Sequence, residues 1–315
     1  MKPEILVLAA SPSAAVMQQL ESHFTCHHLW AVPQEQQSTF IESVAARVRG
    51  LLTTGQLGLT SALAASLPAL EMVAVNGVGV DAIPFDITRA RGIQVSNTPG
   101  VLTDDVADMA VTLLLASARR LPAMDQYVRR GDWEKKAPLK PASALRGKIA
   151  GIYGFGRIGQ AIGQRLSAFG MELRYYQPRP IPGTPVARAD SLLALAQQSD
   201  YLVVAAPGTA ATRNSVDAAV LDALGPQGTL VNIARGSLVD EDALAAALSE
   251  GRLGAAALDV FADEPRVPAA LRALENAILA PHIGSLTVET RHAMGQLVVD
   301  NLVAYFAGRP LLTPV

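Results

Sequence analysis

Short runs of β-branched and aliphatic residues alternate with longer Ala/Leu-rich stretches from one end of the chain to the other, and that alternation leaves few folds open. Runs of this length read as buried strands, and the longer stretches carry apolar residues at helical spacing. Repeated strand–helix–strand units build parallel sheets whose faces are covered by helices. In the first third, strands are expected at Ile5–Ala10, Gly50–Thr53, Met72–Asn76 and Ile93–Val95. A second series begins after Lys148, with strands at Ile149–Tyr153, Glu172–Tyr176, Tyr201–Ala205, Thr229–Ile233, Ala255–Val260 and Ala277–Ala280. Helices are expected between them at Gln160–Phe169, Ser191–Gln198, Val216–Leu224 and Glu241–Glu250. Pro178–Pro185, with four prolines and a glycine, reads as a loop.

Two long helical segments, Thr103–Arg120 and Val288–Ala307, flank the second series; Thr103 and Asp104 are good residues to open the first. A chain of 315 residues exceeds what one core usually serves. The expected architecture is therefore α/β with two doubly wound parallel-sheet domains and a ligand cleft between them. One domain would comprise residues 1–98 and 286–315, the other 99–285, with hinges near Pro99 and Ser285.

Charge excludes several classes of partner. Lys and Arg number 26 against 28 Asp and Glu, so no basic excess invites nucleic acid or an anionic membrane. The apolar stretch Val106–Ala118 contains Asp108 and falls short of the roughly 20 residues a span needs. The opening apolar run, Ile5–Ala10, is too short for a signal-peptide core. A soluble chain with the single cysteine Cys26 suits a reducing cytoplasm. His23, His27 and His28 lie near Cys26, but no carboxylate set accompanies them; a surface strand or turn is expected there, and no metal.

The strand at Ile149–Tyr153 runs directly into Gly154-Phe155-Gly156-Arg157-Ile158-Gly159, and a helix follows. In that setting the first glycine makes a tight turn, the second admits a pyrophosphate to the backbone, and the third lets helix pack on strand. Amides at the helix N-terminus then face the phosphate charge. A dinucleotide site is the reading. The position closing the second strand discriminates between dinucleotides, since NAD sites usually place Asp or Glu there to accept from the ribose hydroxyls. Here it is Gln177, followed by Pro178 and Arg179. A neutral amide does not repel a 2′-phosphate and Arg179 could pair with one, which favours NADPH while still allowing NADH. No second basic residue for that phosphate is evident near Gln177 in the sequence.

Three polar residues follow the late strands of the second series: Arg235, Glu264 and His282. Reduction of a 2-oxo acid needs one group of each kind. An arginine fork holds the carboxylate and polarises the carbonyl. A protonated histidine delivers a proton to the forming alkoxide, and a nearby carboxylate favours that protonated form.

Val231-Asn-Ile-Ala-Arg-Gly-Ser-Leu-Val-Asp240, Ala257-Leu-Asp-Val-Phe261 with Glu264-Pro265, Pro281-His-Ile-Gly-Ser285, and Ser96-Asn-Thr-Pro-Gly100 followed by Asp104-Asp-Val-Ala-Asp108 together resemble the D-isomer-specific 2-hydroxyacid dehydrogenases. Within that family, Thr287-Val-Glu-Thr-Arg291, Pro310-Leu-Leu-Thr-Pro314 and Tyr127-Val-Arg-Arg-Gly-Asp-Trp133 resemble the NADPH-dependent hydroxypyruvate and glyoxylate reductases. The resemblance implies a flavodoxin-like substrate domain beside a Rossmann-type dinucleotide domain, and catalysis by Arg235, Glu264 and His282. It implies further that Ile233, Asp259 and Gly284 serve the dinucleotide, Asp259 at the nicotinamide carboxamide. Amides of Val78 and Gly79 in Asn76-Gly-Val-Gly-Val-Asp81 would bind the substrate carboxylate, with Ser285 nearby, and the enzyme would be a homodimer. In one respect the chain departs from that branch: Pro178 intervenes before the arginine. Two other readings stay open. Another substrate of the same family, such as 2-oxogluconate, 3-phosphoglycerate or formate, is one; a non-catalytic dinucleotide-sensing regulator is the other.

Overall fold

The computed structural model describes residues 2–10 and 13–315; Met1, Ser11 and Pro12, which fall within the expected first segment, lie outside the described residues. Contacts divide the chain into two α/β units, Met1–Leu102 with Leu286–Val315, and Thr103–Ser285.

The first unit runs β1 (Glu4–Val7), α1 (Ala14–His23), β2 (Thr25–His28), α2 (Gln37–Val44), β3 (Val48–Thr54), α3 (Ser61–Ser66), β4 (Met72–Asn76), α4 (Phe85–Ala90) and β5 (Gln94–Ser96). The last helix of the chain, α12 (Val288–Phe306), returns to it. Its five strands are all parallel in the order β2-β1-β3-β4-β5, which is the flavodoxin-like doubly wound order. Burial of both sheet faces explains why the strands read as unbroken apolar runs. Ile5, Val7, Met72 and Ala74 pack with Val16 and Leu20 of α1 and Val298 and Leu302 of α12. The alternate residues Leu6, Leu51, Val73 and Val75 pack on the opposite side with Val44, Ala64 and Leu67.

Strand β2 stands where a surface strand or turn is expected, outside the series of apolar strands. It is an edge strand reading Thr-Cys-His-His, with little apolar signal to betray it. Its histidines have structural partners. His27 Nε2 meets Glu4 Oε2 at 2.7 Å, His28 Nε2 meets Glu21 Oε1 at 3.2 Å, and His23 is the last residue of α1. The His27 and Arg47 contacts hold the Glu4 carboxyl below its usual range. Burial pushes the Cys26 thiol up to about 12, so it is protonated and unreactive at neutral pH. Among the described residues no group of three or more His, Cys, Asp or Glu could hold a metal ion.

The second unit comprises α5 (Thr103–Ala118), α6 (Leu121–Arg129), β6 (Ile149–Tyr153), α7 (Arg157–Ala168), β7 (Glu172–Tyr176), β8 (Ala187–Arg188), α8 (Leu192–Gln197), β9 (Tyr201–Val204), α9 (Ala218–Leu224), β10 (Thr229–Asn232), α10 (Glu241–Ser249), β11 (Ala255–Leu258), α11 (Ala269–Arg272) and β12 (Ala277–Leu279). Side-chain caps set several helix starts: Ser191 accepts from Ala194 N, Asp217 from Val220 N and Asp240 from Ala243 N. Seven parallel strands stand in the order β12-β11-β10-β9-β6-β7-β8, one more than the six expected, the extra one being the two-residue β8. The sequence reverses direction between β6 and β9, and open α/β sheets bind ligands at the carboxyl ends of strands at such a reversal. Both sheets are of the doubly wound, Rossmann-type class. No helix among the described residues is long and apolar enough to cross a membrane.

A buried asparagine secures the C-terminal tail of the first unit. Asn301 is fully buried on α12; its Oδ1 accepts from the amides of Leu312 and Thr313, each at 3.1 Å, and its Nδ2 donates to Leu297 O and Thr313 Oγ1. Thr313 Oγ1 in turn donates to Asn97 O at 2.6 Å. Asn301→Ala strands the amides of Leu312 and Thr313 and removes a donor to the Thr313 hydroxyl. It is expected to destabilise the protein by about 2–4 kcal/mol, read as a lowered midpoint in urea.

Candidate active site

Each glycine of the loop after β6 has a distinct steric reason. Gly154 has φ of 90°, and a Cβ there would fall 2.5 Å from Ala206 N. A Cβ on Gly159 would fall 2.1 Å from Gly154 O, so only glycine lets α7 lie this close to the turn. At Gly156 nothing lies within 4 Å of the Cβ position: the space above the α7 N-terminus is open. Helix α7 starts without a side-chain cap, leaving the Arg157 and Ile158 amides for an anion. A dinucleotide pyrophosphate therefore fits. Phe155 contributes from inside, its amide donating to Gln177 Oε1 at 3.0 Å and its ring stacked on Tyr175 with centroids 4.8 Å apart.

Gln177 is consequently bound at both ends. Its Oε1 takes the Phe155 amide and its Nε2 donates to Arg179 O at 2.7 Å, tying the loop after β7 to the glycine loop. A carboxylate at this place would face the Arg179 carbonyl with no proton to offer.

Beyond β10, Asn232 shapes the chain for Arg235. Its buried side chain accepts from Ala234 N and donates to Arg235 O, and Arg235 Nη1 donates to Ala234 O. The neighbouring glycines are obligatory. A Cβ on Gly236 would lie 1.8 Å from the Phe261 carbonyl carbon, and one on Gly208 2.9 Å from Arg235 Cγ. At Gly236 backbone packs on backbone, bringing the ends of β10 and β11 together, while Gly208 leaves room for the Arg235 side chain.

After β11 and β12 stand the acid and the imidazole. Glu264 Oε1 accepts from Phe261 N at 2.9 Å, and its Oε2 lies 2.8 Å from His282 Nδ1. The adjacent amide, Ala262 N, donates to Glu241 Oε1, whose carboxyl is pushed up chiefly by burial and further by Asp242, Asp263 and Glu264. His282 adopts φ of 55°, a left-handed conformation that a bulky residue holds only under constraint. Asp259 supplies the constraint. Its Oδ1 accepts from Ile283 N and its Oδ2 from Gly284 N, both at 2.8 Å, and its carbonyl accepts from His282 N at 2.8 Å. Burial raises the Asp259 carboxyl, while those two amides and the His282 charge oppose the rise. A Cβ on Gly284 would approach Asp259 Oδ2 to 3.0 Å.

Residues 111–284 match the D-isomer specific 2-hydroxyacid dehydrogenase family, NAD binding domain. Glyoxylate/hydroxypyruvate reductase A of Arabidopsis thaliana is 46% identical over 310 residues, covering 98% of each chain. The 2-ketogluconate reductase of Gluconobacter oxydans is 45% identical over 316 residues, covering 100% of this chain and 99% of its own. Among solved structures, the NADPH-dependent glyoxylate/hydroxypyruvate reductase of Sinorhizobium meliloti in complex with NADP and malonate superposes with a TM-score of 0.90 at 42% identity, covering 100% of this chain and 97% of that one. The chain belongs to the D-isomer-specific 2-hydroxyacid dehydrogenases.

The dehydrogenase thus carries Glu264 paired with His282 and Asp259 clamped to the backbone just beyond that histidine, while Ile233 is buried, its amide directed to Val204 O at 3.4 Å. Val78 and Gly79 belong to the other unit, in a loop held by Asn97 Nδ2 donating to Val78 O and Thr98 N donating to Gly77 O. Ser285 is the last residue of the second unit. Sequence reasoning alone missed the Asp259 clamp and the Glu241 carboxyl; the Asp259 signal was its place one residue beyond a buried strand, where a charge persists only if its oxygens are satisfied.

Asp259→Asn turns an amide donor toward one of two backbone N–H groups. It is expected to lower kcat by about 10–100-fold and to lower thermal stability, since the His282 loop loses one of its holding bonds. Single-turnover rates with an intact melting curve would locate all of the loss elsewhere.

Proposed function

We propose that this dehydrogenase reduces small 2-oxo acids, glyoxylate and hydroxypyruvate foremost, to the matching 2-hydroxy acids with NADPH. The observation that carries the reading is the 2.8 Å pair of His282 Nδ1 and Glu264 Oε2, on a sheet edge that also presents Arg235. With Nδ1 turned to the carboxylate, the proton for the substrate oxygen leaves from Nε2. Arg235 holds the substrate carboxylate and draws charge from the carbonyl, and backbone amides of Val78 and Gly79 with Ser285 add hydrogen bonds to the acid. Arg157, Ile158, Gly156, Gln177 and Arg179 are the residues for the dinucleotide phosphates, and Ile233, Asp259 and Gly284 serve its nicotinamide end. The hydride comes from the dinucleotide when it is bound.

NADPH rather than NADH is supported by the neutral Gln177 and by the NADPH-dependent Sinorhizobium relative. Residues 1–98 with 286–315 serve as the substrate domain and 99–285 as the dinucleotide domain. A homodimer is supported by α5 and α6, where Thr112, Leu115, Ala116, Leu121 and Met124 line an apolar hollow and Leu121, Val128 and Trp133 are exposed. A cytoplasmic setting suits the protonated single thiol of Cys26. The Gluconobacter relative makes 2-oxogluconate the competing substrate. Initial rates on glyoxylate, hydroxypyruvate, pyruvate and 2-oxogluconate with each cofactor decide between them: kcat/KM is expected to be highest for glyoxylate or hydroxypyruvate with NADPH. A clear maximum for 2-oxogluconate would replace the substrate, and absence of turnover on all four would point to a dinucleotide-sensing regulator.

His282→Ala is expected to lower kcat by about 10²–10⁴-fold with dinucleotide binding retained in a fluorescence titration. Glu264→Gln removes the charge facing Nδ1, so the imidazolium is less favoured and the alkaline limb of the kcat profile for reduction moves to lower pH. An unmoved limb would show that the two groups are not coupled. Arg235→Lys keeps the charge but not the fork; KM for the 2-oxo acid should rise and kcat fall, with the NADPH Kd hardly changed.

A further inference from the structure

Arg188 lies on the short edge strand β8, next to β7 and opposite Tyr175, eleven residues beyond Gln177 in sequence yet directly against the loop that Gln177 begins. Its Nε donates to Gln177 O at 3.1 Å and its Nη2 to Pro178 O at 3.2 Å. The guanidinium carbon lies 5.9 Å from the centroid of the Tyr176 ring, close enough for a cation–π contact. Three anchors thus fix an exposed arginine that would otherwise be mobile.

Among the described residues no carboxylate pairs with Arg179 or Arg188, whereas Arg129, Arg130, Arg165, Arg252 and Arg266 of the same unit are each neutralised by one, and several other arginines are not. Two arginines without a counter-charge therefore flank Gln177–Pro178 at the end of the second strand of the doubly wound sheet, where the adenosine ribose of a dinucleotide is held. Gln177 adds no opposing charge, being a neutral amide, and its hydrogen bonds to Phe155 N and Arg179 O hold it in place.

We propose that Arg188 is a specificity-determining residue for the 2′-phosphate of NADPH, acting from a second strand alongside Arg179. The proposal rests on the NADPH preference stated above. Arg188 does two things: its fork holds the Gln177 and Pro178 carbonyls, which sets the loop, and its delocalised charge faces the dianionic monoester. A purely structural clamp would need only the donors and would treat NADH and NADPH alike.

The experiment compares wild type, Arg188→Gln and Arg188→Lys in fluorescence titrations with NADPH and NADH, and in calorimetry with adenosine 2′,5′-bisphosphate and AMP. Arg188→Gln keeps a donor for the carbonyls without the charge; Arg188→Lys keeps the charge without the fork. Wild type is expected to bind NADPH and the bisphosphate more tightly than NADH and AMP. Arg188→Gln should weaken NADPH and the bisphosphate by about tenfold relative to NADH and AMP, with Arg188→Lys falling between. The wild-type preference for NADPH should also shrink as salt is raised. If wild type prefers NADPH and both variants keep its full NADPH-to-NADH ratio, Arg188 is a loop clamp and the proposal fails while the cofactor reading stands. If wild type itself binds the two cofactors equally, the cofactor reading fails and the assignment falls with it.

Discussion

The carboxylate of Asp259 is the contact on which the reactive edge depends. Buried one residue beyond β11, it accepts the amides of Ile283 and Gly284, while its own carbonyl takes the amide of His282. These bonds keep His282 in a left-handed conformation, with Nδ1 against Glu264. A charge so deep is costly unless its oxygens are satisfied, and here the satisfying groups are the very backbone that carries the histidine. Burial cost and site geometry are coupled: loosening the loop would strand the carboxylate.

Close backbone approach is the second constraint. The loops at the carboxyl ends of β6 and β10 touch neighbouring backbone with no room for a Cβ at Gly154, Gly159 or Gly236. Gly156, between Gly154 and Gly159, faces open space, where the phosphates would come. The same residue type thus serves two purposes within one loop, packing at its ends and access in its middle.

Much of this was legible in the sequence. The parallel strands with both faces buried announced themselves as apolar runs, and Met72–Asn76, Ile149–Tyr153 and Glu172–Tyr176 begin and end where read. The edge strand β8 was not, and β2 was legible only as a surface strand or turn, because half-exposed strands carry polar residues such as His27 and Arg188 and lack the burial that makes the pattern. Nor could spacing reveal that Gln177 is tied to Phe155, or that an arginine eleven residues on folds back onto Pro178. Those are contacts between loops, set by strand order, and they decide the local chemistry more than composition does. The Glu264–His282 pairing was readable as residue types at strand ends; its 2.8 Å geometry and the clamp behind it were not.

In the proposed reaction Glu264 fixes the imidazole so that Nδ1 keeps its proton and Nε2 exchanges one with substrate. Long-range ¹⁵N–¹H NMR of the His282 ring, followed through its titration, tests this directly. The neutral ring is expected to carry its proton on Nδ1, with Nε2 the nitrogen that loses its proton as pH rises. A neutral ring protonated on Nε2, with Nδ1 titrating, would contradict it.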